Sequence, residues 1–195
     1  MIQSIAPWRS SLSGALHRHR SQPQSRYLQL ATVRPDGRPA NRTVVFRGFL
    51  GGSDRLQIVT DDRSEKVSQI LENSWGEGCW YFPKTREQFR LSGQLTVVNA
   101  DCDDVSLQTA RREAWTKLSD GARCGFATPP PGQPRSEAVA FDVPVPDAIE
   151  PLPHFCLLLL DPEWVDFLQL RGEPQNRWIY RRQGDRTWSV DLVNP

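Results

Sequence analysis

With 195 residues, 24 basic and 23 acidic side chains, the chain can bury a sizeable core and carries almost no net charge, so nothing marks it as a binder of nucleic acid or another polyanion. Hydrophobic residues make up 38% and come in compact runs with seven Trp and eight Phe, the composition of a folded globular protein rather than a disordered one. Cys79, Cys102, Cys124 and Cys156 are widely spaced without a CxxC pair, which implies neither a metal site nor a disulfide framework and fits reduced thiols in a cytoplasmic protein.

The opening MIQSIAPWRSSLSGALHRHRSQPQSR has no apolar secretory core, and no run in the chain approaches membrane-spanning length, so neither export nor insertion is expected. It is basic and rich in Ser, as a transit peptide is. PWRSSLSGALHRHR also sets Trp8, Leu12, Ala15 and Leu16 at helical spacing, and an amphipathic helix within residues 1–25 is the favoured reading. From Arg26 the period changes. RYLQLATV alternates as a strand, Pro-Asp-Gly supplies a turn, and RTVVFRGF completes a hairpin. GGSD is a second turn and RLQIVT a third strand; DDRSEKVSQILENS follows as a helix with Val67, Ile70 and Leu71 on one face. GCWYFP and EQFRLSGQLTVVN read as two further strands, and DDVSLQTARREAWTKLSDGAR as one helix capped by Asp103 or Asp104. Residues 127–153 hold most of the prolines and read as a long irregular excursion, with a domain boundary as the alternative. The remainder reads as strands joined at Asp-Pro-Glu and Gln-Gly-Asp turns that complete the first sheet, giving an antiparallel barrel with flanking helices.

Three segments carry chemistry. TDDRSEK places Thr60, Arg63, Ser64 and Lys66 where a strand ends and a helix begins, an arrangement suited to a phosphate; taken alone, a capped surface helix with ion pairs such as Asp62 with Lys66 explains it better. RTVVFR brackets an apolar strand with Arg42 and Arg47, and pairing with the third strand brings Arg42 beside the helix start. Gln88, early on its strand, offers an amide that donates and accepts together, the match to an imide-like edge of a heterocycle. His17, His19 and His154 form no metal-ligand or nucleophile-base pattern and are assigned structural or surface roles.

In their order and spacing, LATVRPDGRPANRTVVFR, VTDDRSEK, REQFRLSGQ and NRWIYRR…WSVDLVNP resemble the pyridoxamine 5′-phosphate oxidase-like FMN-binding proteins with a split-barrel fold, from Arg26 to Pro195. CWYFPKTREQFRLSG and AWTKLSDGARCGFATPPPGQPR look most like the Alr4036-type branch. The resemblance implies a mainly β (α+β) antiparallel FMN-binding split β-barrel with flanking helices, one domain over residues 1–195, FMN as cofactor, no metal, and a homodimer with FMN at its interface. It implies FMN contacts from Arg42, Thr43, Val44, Val45, Phe46 and Arg47, with Arg47 standing where the family has lysine. Val59, Thr60, Ser64 and Lys66 would hold the phosphate and ribityl chain, Glu65 replaces an arginine whose role Arg63 shares, and Gln88 and Arg177 would meet the flavin. The Arg-x-His element that grips the vitamin substrate in the oxidase has no counterpart in RGEPQN; the tryptophan that packs on the flavin is absent near Leu168 and Gln169; and a Gln-Ser pair meets only PPPG. The implied activity is an FMN-dependent oxidoreductase of a small molecule other than pyridoxamine phosphate. A flavin-holding protein without turnover and a cofactor-free interaction domain are the alternatives.

Overall fold

The computed structural model describes residues 5–195, so the first four residues of the amino-terminal segment lie outside the described residues. Strands β1 (Tyr27–Val33), β2 (Pro39–Phe49), β3 (Leu56–Asp61), β4 (Trp75–Phe82), β5 (Glu87–Val98), β6 (Phe155–Gln169), β7 (Asn176–Arg182) and β8 (Trp188–Val193) lie in the order β3-β2-β1-β4-β5-β6-β7-β8. Antiparallel pairing of β3 with β6, from Leu56 opposite Leu160 to Asp61 opposite Phe155, closes the first six into a barrel. Closure removes the exposed edges that an open sheet of this size would leave. β7 and β8 continue from β6 as an outer extension.

Period-two patterning fixes which side faces in. Leu28 and Leu30 of β1, Val44 and Phe46 of β2, Ile58 of β3 and Leu91 of β5 form the barrel core, and helix α1 (Pro7–Arg18) inserts Trp8, Leu12 and Ala15 into the same cluster. Trp8 meets the rings of Phe49 and Trp188 with centroids 6.4 and 6.0 Å away, so the expected amphipathic helix is present and plugs the barrel. Burying Leu12 alone stabilises this docking by roughly 2 kcal/mol. His19 follows α1 and is fully buried: its Nε2 accepts from Lys84 N at 3.1 Å, which leaves Nδ1 to donate to Ala15 O at 2.8 Å, so the ring has a structural role. Helix α2 (Glu65–Glu72) packs on β1 and β5 and contributes Ile70 to the core. Outside the barrel, α3 (Val105–Thr116) sets Trp115 against Phe155 at 4.9 Å. FCLLLL of β6 is buried along its whole length because Leu158 and Leu160 face the barrel while Phe155, Leu157 and Leu159 face the second cluster.

Three expectations require correction. The segment 103–123 is not one helix: α3 ends at Thr116 and α4 (Asp120–Ala127) starts anew, capped by Ser119 accepting from Ala122 N, while Asp104 caps α3. Asp161-Pro162-Glu163 is not a turn. β6 runs through it as one strand with a register shift opposite Ser92 and Gly93, and the missing side chain of Gly93 permits this, since a Cβ there would lie 2.0 Å from Asp161 O. Leu71 does not join Val67 and Ile70 inside; it is 75% exposed, and the third buried residue of α2 is Gln69. The excursion after α4 is irregular as expected, with only a short 3-10 turn at Ala138–Phe141.

Candidate functional site

A cleft of about 670 Å³ opens between β2, the end of β3, the start of α2 and the segment following α4. Strand chemistry builds its floor. β2 pairs with β3 through Phe46 opposite Ile58 and Gly48 opposite Gln57, so Arg47 is an extra residue in a β-bulge and is turned toward the cleft. Thr43, Val44, Val45 and Val59 supply adjoining wall.

At the strand–helix junction the polar groups converge. Lys66 Nζ donates to Thr60 Oγ1 and to Ser64 Oγ, each at 2.9 Å, and Ser64 Oγ donates to Asp61 O at 2.6 Å. Ser64 is also the cap residue that precedes α2, so the positive end of the helix dipole lies beside the ammonium. Arg42 is fixed from the other side: it donates to Leu30 O at 3.2 Å, Thr32 Oγ1 at 2.6 Å, Ala40 O at 3.3 Å and Gln69 Oε1 at 3.0 Å. All of these acceptors are neutral. Among the described residues no carboxylate forms an ion pair with Arg42, Arg47 or Lys66. Burial, and then the neighbouring Arg42 charge, pushes the Lys66 ammonium below the usual lysine value, and burial lowers Arg42 likewise. Two half-buried cations share one cleft without a counter-ion, so an anion entering there recovers an electrostatic penalty already present in the free protein. The two hydroxyls and two cations match the donor needs of a phosphate monoester, and the valines match an apolar ring or chain beyond it.

Not every expected site residue lies here. Phe46 points into the core, 5.1 Å from the rings of both Phe49 and Trp80. Arg63 is committed elsewhere, donating to Asp61 at 2.9 and 2.6 Å and to Phe126 O at 3.0 Å. Burial works to raise the Asp61 carboxyl, but the Arg63 hydrogen bonds outweigh it and hold it below the ordinary value. Gln88 and Arg177 are brought together, on either side of Leu168 across β5, β6 and β7, away from the cleft of the same chain. Arg177 is pinned there by Asp166, itself 2% exposed, at 3.0 and 2.7 Å. The expected ion pair of Lys66 with Asp62 is absent, and Glu65 faces Arg34 at 3.7 Å instead.

Two contributions were missed from the sequence. One is the backing of Arg42 by Thr32 and Gln69; the signal was a glutamine between Val67 and Ile70 on the buried face of α2. The other is the proline-rich excursion, whose residues 128–136 and Phe141 form the far wall.

Comparison with known proteins agrees with this architecture. Residues 5–99 match the family described as pyridoxamine 5′-phosphate oxidase, FMN-binding domain. The chain is 40% identical to pyridoxine/pyridoxamine 5′-phosphate oxidase 2 of Arabidopsis thaliana, over 98% of each chain. A crystal structure of a pyridoxamine 5′-phosphate oxidase-related, FMN binding protein from Nostoc punctiforme superimposes with a TM-score of 0.96 at 56% identity, covering 98% of this chain and all of that one. PhzG from Burkholderia lata shares the fold at 19% identity, with a TM-score of 0.78 over 100% of this chain and 99% of that chain. The chain belongs to the pyridoxamine 5′-phosphate oxidase family, and its barrel is an FMN-binding domain.

Proposed function

We propose that the protein is an FMN-dependent oxidoreductase of a small-molecule substrate, acting in the cytoplasm, with the cofactor phosphate held by Arg42, Thr60, Ser64 and Lys66. The observation that carries this reading is the pair of half-buried cations, Arg42 and Lys66, satisfied only by neutral acceptors in a cleft lined by Val45 and Val59. When bound, FMN supplies the electron and hydride chemistry; the chain's own residues bind, orient and shield it. Arg47, aimed by its bulge, and Thr43 stand next along β2. Arg63 acts indirectly in this reading, by occupying Asp61 so that the carboxylate does not neutralise Lys66.

Gln88 and Arg177 fit only if a second copy brings them to the cleft, which supports a homodimer with FMN between the subunits. They share one sheet face with Arg90, and Asp166 holds Arg177 and Arg90 together, at 2.7 and 3.6 Å. The name of the Arabidopsis relative supports oxidase chemistry. The absence of an Arg-x-His element in RGEPQN favours a substrate other than pyridoxamine phosphate. It also favours the second reading, a flavin-holding protein without turnover.

The test is the purified full chain titrated with FMN and with riboflavin, which lacks the phosphate. Lys66→Ala is expected to weaken FMN by about tenfold or more and riboflavin little, as loss of one charge-assisted contact requires. Equal weakening of both flavins refutes the phosphate placement. A loaded protein whose flavin is reduced by neither NAD(P)H nor candidate amines supports the holding role.

A further inference from the structure

The cleft carries more positive charge than a cofactor phosphate needs. Its lining includes Arg42, Arg47, Lys66 and Arg135, against one carboxylate, Asp61, which Arg63 already occupies. A phosphate monoester brings a charge of about −1.5 to −2, which the Arg42 and Lys66 pair answers. Resting on the cofactor reading above, we propose that Arg135 selects the substrate, receiving the carboxylate or phosphate of an anionic small molecule at the mouth of the cleft.

Depth separates the two anion positions. Thr60, beneath Lys66, is 5% exposed, whereas Arg135 is open to solvent, where a ligand that comes and goes must be met. Arg135 is nevertheless held in place. Its guanidinium lies 4.4 Å from the centre of the Phe141 ring, a stacking that orients the plane while leaving the N–H fork free for bidentate contact. No carboxylate of the described residues pairs with it. Pro129, Pro130, Pro131 and Pro134 stiffen the segment that carries it, so less backbone freedom is lost when a ligand docks. The wall containing Arg135 is therefore a semi-rigid strap presenting one unpaired arginine across the cleft from the phosphate donors.

The FMN-loaded full chain is titrated with benzoate, phenyl phosphate and the neutral benzamide, with the flavin absorption band as the signal. At least one anion is expected to bind about tenfold tighter than benzamide, and Arg135→Gln to erase that preference while FMN affinity stays within about threefold. Tighter benzoate assigns a carboxylate substrate, and tighter phenyl phosphate a phosphate ester. If the loaded protein binds all three alike, or if Arg135→Gln keeps the preference, the proposal is wrong. If Arg135→Gln instead loses FMN and not riboflavin, Arg135 belongs to the cofactor phosphate and the proposal is equally wrong. A wild-type chain that takes up no FMN fails at the earlier reading, a result distinct from these.

Discussion

Gln69→Glu changes one atom type at a buried position and is the sharpest perturbation of the anion site. Gln69 is 1% exposed, and its Oε1 accepts from Arg42 at 3.0 Å and from Thr32 Oγ1 at 2.6 Å, while Nε2 has no partner. The substitution removes the orphaned N–H and places a carboxylate 3.0 Å from the guanidinium. At an effective dielectric of about 20 the attraction at that distance is roughly 5 kcal/mol before desolvation, enough to keep the carboxylate ionised and Arg42 committed to it. Arg42 then offers the phosphate a neutralised donor, and a charge-assisted contact of about 1.5–3 kcal/mol is lost, which is roughly 10- to 150-fold in Kd. Quenching of flavin fluorescence gives Kd for FMN and riboflavin side by side. The expected outcome is weaker FMN and unchanged riboflavin in a chain that still folds, the desolvation of the buried carboxylate offsetting the ion pair it gains. A folded Gln69→Glu protein that binds FMN as wild type does would refute the claim that Arg42 is held by neutral acceptors for the sake of an anion.

Two further outcomes follow from the same structure. Burial and Arg42 together depress the Lys66 ammonium, so above the phosphate's own titration at about pH 6 FMN affinity should fall as pH rises toward 10.5. The fall begins below the ordinary lysine value and is absent in Lys66→Arg; a flat wild-type profile to pH 10.5 counts against Lys66 as a phosphate ligand. Gly93→Ala should lower stability by about 3 kcal/mol, read as a depressed Tm, because its Cβ would meet the Asp161 carbonyl oxygen at 2.0 Å in the β5–β6 bulge; an unchanged Tm would show that the bulge can slide.

Most of the barrel was legible because its strands alternate cleanly and its turns carry Gly, Asp and Pro where hairpins need them. The errors fall where local chemistry has two solutions. Asp-Pro-Glu is a turn signal by composition, but its partner strand carries Gly93, so the proline sits in a bulge and β6 continues; pairing across the sheet decided it, and pairing is not written locally. The break between α3 and α4 was signalled by Ser119 and Asp120, a cap followed by an acidic first turn, within a run otherwise favourable to helix. In the site, Arg42, Ser64 and Lys66 stood out only in combination: a capped surface helix accounts for the strand–helix junction by itself, and it was Arg42 on the paired strand, with the family resemblance, that turned the reading toward an anion site. Gln69 did not, since a buried glutamine announces itself only once its partners are known, and Arg135 was hidden in a segment whose composition predicts irregularity without saying what it faces.

The chain uses arginine in two physically distinct ways. Neutral acceptors alone do not mark a site, since Arg111, 4% exposed, donates among the described residues only to the carbonyls of Phe155, Leu152 and Pro153 and lies outside the cleft; what marks the site is that two such cations, Arg42 and Lys66, meet in one open cleft. Arg63, Arg90, Arg177 and Arg182 are each matched to carboxylates, namely Asp61, Glu77 with Asp166, Asp166, and Asp161 with Glu163. Such pairs cancel their own fields; those of Arg90, Arg177 and Arg182 also anchor one strand to another, while Arg63 ties the turn after β3 to its end. Arg42 and Lys66 are matched to carbonyls, hydroxyls and one amide, which satisfy N–H donors but leave the charge standing. Satisfying a donor and neutralising a charge are separable requirements, and here only the first is met inside the fold. The free protein therefore holds a desolvated positive field that an anion relieves. Ligand binding and folding are linked through that relief: at a hundredfold excess of flavin phosphate over Kd the native state gains about 2.7 kcal/mol. Riboflavin, unable to answer the charge, should at equal concentration stabilise the fold far less.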